Sequence, residues 1–417
     1  MPIEARHSGW AEQDPDLWWY YVGVGLDALR EAGHPLDDVR AVGITYQMHG
    51  LVCVDCTGHP LRKAIIWCDS RAVEIGAEAL ETLGRERCLE HLLNSPGNFT
   101  ASKLAWVRRN EPELFARIDK VMLPGDYIAF RLSGDISTTV GGLSEQILWD
   151  FAEERRADFV ADYYGIPHAM LPRAGASIGI EARTDARTEE RFGIPAGTPI
   201  SYRAGDQPNN AFSLNVLEAG EVAATGGTSI MNSWMRRNVT QQTLDYAAMN
   251  RLAESVPVGS DGLLVVPFGN GAERVLGNRC PGACIHRLDL NRHTTAHLLR
   301  ATQEGIAFSF RYGLDLMHPL GLNPAVIRAG AANLFLSPLF RQTLATLTGA
   351  RIELFNTDGS LGAARGAALG AGLYRSREEA FASLRRVDAV DPAPADRDTL
   401  EERYAEWCAL VGRETGC

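Results

Sequence analysis

Asp206 is the residue around which chemistry can first be argued. It stands in Tyr202-Arg203-Ala204-Gly205-Asp206-Gln207-Pro208-Asn209-Asn210, among small and amide residues with no cation directly beside it. A carboxylate so placed can accept the proton of a sugar hydroxyl. A short apolar run, 198–202, precedes it, and a second, 221–225, leads into Gly226-Gly227-Thr228-Ser229. A strand ending in such a turn presents backbone N–H groups to phosphate, and glycine lets the phosphate come close. Taken singly, an Asp after Gly forms turns more often than it acts as a base, by roughly three to one. A carboxylate and a phosphate cradle this close in sequence together point to phosphoryl transfer to an alcohol.

The elements that must position these residues alternate along the chain. Asp14 reads as an N-cap and Pro15 as the first residue of a helix whose stripe is Trp18, Val22, Leu26 and Leu29, with Gly33 closing it. Val42 and Ile44 mark a strand. A hairpin is expected from Leu51–Val54 through Asp55 and Gly58 to Ala64–Trp67, so Gln47-Met48-His49-Gly50 falls at a junction where binding residues commonly project. A helical region runs from Leu104 and Val107, restarts at Pro112 and carries its apolar face to Met122, and 197–225 reads as strand-rich. Further on come a helix at 295–311, a strand at 325–328, a helix at 339–347, and a small-residue helix at 362–371 that could approach a neighbour or a nucleotide closely. Asp391-Pro392-Ala393-Pro394-Ala395-Asp396 reads as a linker, and Thr399 with Glu402 as the capping box of a last helix. Strands alternating with helices in both halves predict an α/β protein of two lobes, with ligands gathered in the cleft between them.

At 417 residues the chain is long enough for two full cores, since single cores stop growing near ~250–300 residues. The formal net charge of -11 argues against a nucleic-acid partner, but helix ends and backbone amides can still hold a nucleotide in an acidic protein. The eight cysteines are too sparse for a disulfide scaffold. Cys53 and Cys56 form a CxxC without a second pair, so Cys53 reads as a strand residue and Cys56 as part of a turn rather than as zinc ligands. Neither an export segment nor a run of transmembrane length is legible, which predicts a cytoplasmic protein that acts on small molecules and uses neither nucleic acid nor membrane.

In order, these segments resemble the FGGY carbohydrate kinases, and within them the xylulokinases, from Trp10-Ala11-Glu12-Gln13-Asp14-Pro15 nearly to the C-terminus. Gln47-Met48-His49-Gly50 is the most discriminating match. Ile66-Trp67-Cys68-Asp69-Ser70-Arg71 resembles the adjoining segment. The stretches 98–106 and 300–308 resemble the two family signatures, the first departing at Asn98 and Ser102. The resemblance implies an α/β, actin-like and ribonuclease H-like two-lobe sugar kinase fold, closing on sugar and ATP. It implies transfer of the γ-phosphoryl group of ATP, with Mg²⁺, to the terminal hydroxyl of D-xylulose. Asp206 aligns with the catalytic base, and Met48, His49 and Gln207 with sugar-contacting positions. Gly227, Thr228 and Ser229 align with a phosphate turn, and Gly330 and Asn333 with a nucleotide loop that has fewer glycines than usual. No metal-binding residue is singled out. The division expected is a sugar-binding lobe at 1–205, a nucleotide-binding lobe at 206–390, and a linker with docking helix at 391–417; for assembly, a homodimer is the candidate.

Two departures stand beside the match. The Asp-Gly-Thr type hairpin with which the family begins has no counterpart before Trp10, so the first lobe is expected to be incomplete, and a second gap follows Ser229. The alternative reading is a catalytically inactive sugar-binding or interaction remnant of such a kinase.

Overall fold

The computed structural model describes residues 1–226, 230–269 and 274–415. The chain forms two units, Met1–Asn209 with Gly359–Ser383, and Asn210–Asp358 with Leu384–Cys417.

The first unit is built on a three-stranded sheet in the order Ile178–Arg183, Pro199–Gly205, Val42–Tyr46; the first pair is antiparallel and the second parallel. The helix Gly359–Gly370 lies on this sheet because its small residues permit it. A Cβ added to Gly43 would stand 2.1 Å from the Ala363 carbonyl oxygen, and one added to Gly370 would stand 2.1 Å from that of Ser201. The close approach expected of this segment is therefore one of backbone to backbone. Ile44, Tyr46, Ile200, Leu123, Trp19 and Phe192 form one apolar core. Through the sheet runs a buried ion pair: Arg203 meets Asp126 at 3.0 Å and donates to the Ser137 carbonyl at 2.7 Å. Burial pushes the Asp126 carboxyl up, and the Arg203 guanidinium pulls it back.

A second core in this unit joins Leu51, Cys53, Leu104, Val107, Val160 and Tyr164. The Leu51–Val54 segment only partly forms the expected hairpin: Leu51 exchanges hydrogen bonds with Ile65, but Val52–Val54 pairs with Lys120–Met122. Met122 thus ends a strand rather than a helical face, because the helix Pro112–Phe115 stops one turn after its proline. In the first helix, Pro15–Glu31, the Asp14 side chain accepts from the Asp16 N–H at 2.9 Å as expected, while Leu29 lies exposed. Cys53 is buried in its strand and Cys56 is exposed.

The second unit has a four-stranded sheet in the order Val222–Ala224, Val326–Gly330, Arg351–Phe355, Arg386–Val390, parallel except for the last strand. Helices Thr295–Met317, Pro338–Thr348 and Arg397–Thr415 cover it around Trp407, whose indole N–H donates to the Val265 carbonyl at 2.9 Å. The last helix begins at Arg397, following a short 3-10 turn at Pro394–Asp396, so Thr399 lies inside it and is not its cap. Among the described residues no helix is long and apolar enough to cross a membrane.

Candidate active site

Parallel pairing of Val42–Tyr46 with Pro199–Gly205 sets Tyr46 opposite Gly205, so both chains leave the sheet at the same end. Ligands of α/β sheets gather at such carboxyl ends. From one strand the chain turns through Met48 and His49; from the other it enters the helix Asp206–Ser213 with Asp206 as its first residue. The sequence reads here as strand and turn, since Gln207-Pro208-Asn209-Asn210 carries turn-forming residues. Proline in a first helical turn loses no hydrogen bond, which is why the helix forms.

The half-buried Asp206 carboxylate accepts from the Gln207 side-chain amide at 3.3 Å. Burial pushes it above its ordinary value, and the Gln207 amide and nearby backbone N–H groups pull it partly back. Gly205 has no room for a side chain: a Cβ there would lie 2.4 Å from Met48 Cγ and 3.4 Å from Glu145 Oε2. Asp206, Met48, His49 and Glu145 therefore share one corner of the first unit, and Gln207 stands exposed at its edge.

His49 has φ +59°, a left-handed conformation that costs a non-glycine residue energy and must be held by its surroundings. Its N–H donates to Glu145 Oε2 at 3.1 Å, its Nδ1–H to the Glu145 backbone carbonyl at 2.8 Å, and its own carbonyl accepts from the buried Lys103 ammonium at 3.0 Å. Phe99 meets the imidazole edge-on, with ring centroids 4.6 Å apart. Lys103 also donates to the Ile66 carbonyl at 2.8 Å, and the Asn98 amide donates to the Asp69 carbonyl. The 98–106 signature thus anchors the His49 turn and the Ile66–Arg71 segment together.

Glu145, on the helix Val140–Gln146, escaped the sequence reading. It is buried, and Tyr46 donates its hydroxyl hydrogen to Oε1 at 2.5 Å. Burial pushes its carboxyl up to about 8; hydrogen bonds from Tyr46 and His49 oppose that, while Asp126 and Asp206 push it further. Of two neighbouring carboxyls the deeper keeps its proton. An acidic residue amid Leu143, Ile147 and Leu148 was the signal available in the sequence.

In the second unit the carboxyl ends of three parallel strands collect Gly226, Gly330 and Thr357. A Cβ on Gly330 would stand 2.5 Å from the Thr357 carbonyl oxygen, and one on Gly226 2.9 Å from the Phe335 ring. Asn333 follows at φ +53°, opening the 3-10 turn Asn333–Leu336. Such packed backbone at strand ends suits phosphate groups. Gly227, Thr228 and Ser229 lie outside the described residues. The 300–308 segment is a buried polar hub: Arg300 donates to Glu304 at 2.8 Å, and Glu304 accepts from the Gly259 N–H and the Ser260 hydroxyl at 3.0 and 2.8 Å. Among the described residues no three His, Cys, Asp or Glu side chains cluster as metal ligands. A Mg²⁺ that arrives on phosphates needs only one or two protein carboxylates, so it does not require such a cluster.

Known proteins resemble the chain along most of its length. The model of the N-terminal domain of the FGGY family of carbohydrate kinases matches residues 1–213, and that of its C-terminal domain matches residues 203–373. The chain is 27% identical over 449 residues to a xylulose kinase of Escherichia coli (strain K12), covering 98% of this chain and 90% of that protein. Its fold is similar to a ligand-bound xylulose kinase from Lactobacillus acidophilus, with TM-score 0.82, 20% identity, and coverage of 99% of this chain and 91% of the other. A gluconate kinase from the same organism matches with TM-score 0.82, 20% identity and coverage of 99% and 92%. The fold alone therefore leaves the sugar open.

Proposed function

Because the chain belongs to the FGGY family of carbohydrate kinases, we propose that it transfers the γ-phosphoryl group of ATP to the terminal hydroxyl of a ketopentose, D-xylulose foremost, giving D-xylulose 5-phosphate. It is a phosphotransferase. The observation that carries the reading is the Asp206 carboxylate at the strand end, in one corner with Met48 and the pinned His49. Asp206 takes the hydroxyl proton as the new O–P bond forms, and Met48, His49 and Gln207 orient the sugar. Gly330 and Asn333, with Gly227, Thr228 and Ser229, receive the phosphates of ATP, whose Mg²⁺ offsets their charge. In phosphoryl transfer the protein's share is mostly alignment, which can supply up to ~7–11 kcal/mol, and a base adds a factor of about 10²–10⁴.

A coupled assay of ADP release across a ketose panel tests this. ADP release should require D-xylulose and Mg²⁺, and Asp206→Ala should lower kcat by about 10²–10⁴. Hydrolysis that is independent of sugar and indifferent to that substitution would refute the role of Asp206. Calorimetric binding of xylulose without ADP release would instead support the inactive remnant.

A further inference from the structure

We propose that the first unit holds a second binding site, apart from the sugar corner, for a small phosphorylated molecule with a ring-bearing body. The site is a cleft of about 500 Å³, within the ~300–1,000 Å³ range of pockets that take small ligands. Its walls come from four elements: the first helix, Pro15–Glu31, the turn at 57–60, the helix Pro124–Ser133 and the helix Ala186–Phe192. None of Asp206, Met48, His49 and Gln207 lines it.

Arginines set its chemistry. Arg131, Arg187 and Arg191 face the cleft, and Asp16 is the one carboxylate among the residues that line it. Arg131 is engaged by Asp16, and Arg187 by Asp185 at 2.6 Å. Among the described residues Arg191 makes no ion pair, although the chain carries 52 acidic side chains against 41 Lys and Arg. It rests instead on Trp19 and Phe192, 5.3 and 5.0 Å from their ring centroids, and Arg131 lies 4.9 Å from that of the same Trp19. One indole thus gathers two guanidinium groups, whose mutual repulsion an anion reaching both would relieve. The planar fork of a guanidinium matches phosphate oxygens two at a time.

The walls are held by contacts of their own. The Tyr127 hydroxyl donates to Asp16 at 2.7 Å and accepts from Arg131 at 2.6 Å, which fixes that guanidinium. Across the cleft, Asp55 takes the N–H groups of Thr57 and His59 at 2.8 and 3.1 Å. Gly58, at φ +83°, seats this turn so close to Phe130 that a Cβ there would stand 2.3 Å from the ring. Donors fixed in this way lose little freedom when a ligand binds. Phe130 and the exposed Tyr20 add aromatic surface on which a nucleoside base can stack or the apolar face of a sugar ring can lie. A bare phosphate would leave that surface unused.

Calorimetry on the full chain with inorganic phosphate, ribose 5-phosphate and adenosine 5′-monophosphate tests the site. At about 0.15 M salt, one of the two organic phosphates should bind at least about tenfold more tightly than inorganic phosphate, and the tighter of the two identifies the body. Arg191→Ala and Arg131→Ala should each weaken that binding about tenfold or more, the loss expected for a hydrogen bond to a charged group. Arg155→Ala, an exposed arginine outside the cleft, should leave it unchanged. Arg191 is itself exposed, so its truncation leaves the fold intact. These three variants should keep kcat and KM for D-xylulose, and Asp206→Ala should keep the binding, so a failure of the kinase reading leaves this test standing. Binding that survives both cleft substitutions, or no binding of any probe at about 1 mM, overturns the site. Equal affinity for inorganic phosphate overturns the ring-bearing ligand.

Discussion

At the scale of the residue, the pH profile should show what surrounds Asp206. Its carboxyl is pushed above the ordinary aspartate value by burial, so the acid limb of kcat/KM should lie above pH 3.8, and Asp206→Asn should abolish that limb together with the rate. A limb at or below the ordinary value would mean that Asp206 is solvated like a surface aspartate. Asp206 and His49 stand out in the sequence, the first among small and amide residues and the second at a junction between expected strands. For Glu145 the sequence offers only its apolar neighbours as a signal, because its importance comes from burial against Tyr46 and His49, far from it in the chain. Lys103 was hidden for the same reason. It lies on a helix within the 98–106 signature, and there it is buried and bound to the His49 and Ile66 carbonyls.

At the scale of the element, glycine spacing decides how the helix Gly359–Gly370 meets its sheet. Gly43→Ala puts a methyl 2.1 Å from a backbone oxygen that cannot step aside, so it should destabilise the unit by about 1–3 kcal/mol, read as a lower denaturant midpoint. Gly25→Ala, with nothing within 4 Å, should leave the midpoint unchanged or raise it slightly and so serves as the control. The composition of 362–371 announced tight packing but could not name the partner, since Gly43 lies more than three hundred residues away in sequence. Boundaries were harder to read than elements. The Asp206–Ser213 helix hid behind turn-forming residues, and the last helix starts ahead of its expected cap because the Pro394–Asp396 turn already points the chain into it. Helix Thr295–Met317 runs past the expected end at Arg311, carried by Tyr312 and Leu314, which pack on the apolar core.

At the scale of the whole molecule, protons link stability to pH. Glu145 is held near 8 when folded against an ordinary 4.5, and Glu304, Asp126 and Asp206 are raised as well. A raised carboxyl binds its proton in the folded chain after the unfolded chain has lost it, so this stabilisation is full below pH 4.5 and fades as pH climbs through about 8. Asp150 and Asp185, lowered on balance by hydrogen-bonded partners, work the other way and lose their contribution only in strong acid. The Tm should therefore fall between pH 6 and 9 by the equivalent of about 3 kcal/mol, and Glu145→Gln should flatten much of that decline. A Tm that rose over this range would contradict the protonation assigned to Glu145. The two sheets were foreseeable from alternating strands and helices, but the return of Gly359–Ser383 to the first unit was not, because no local pattern records which distant surface a small-residue helix will cover. That return has a consequence during synthesis. A ribosome delivers Gly359 about 150 residues after Asn209, or roughly 8–30 s later at about 5–20 residues per second. Throughout that interval the nascent sheet carries an uncovered groove beside Gly43, Ser201 and Tyr202, which makes the half-made polypeptide a client for holding chaperones.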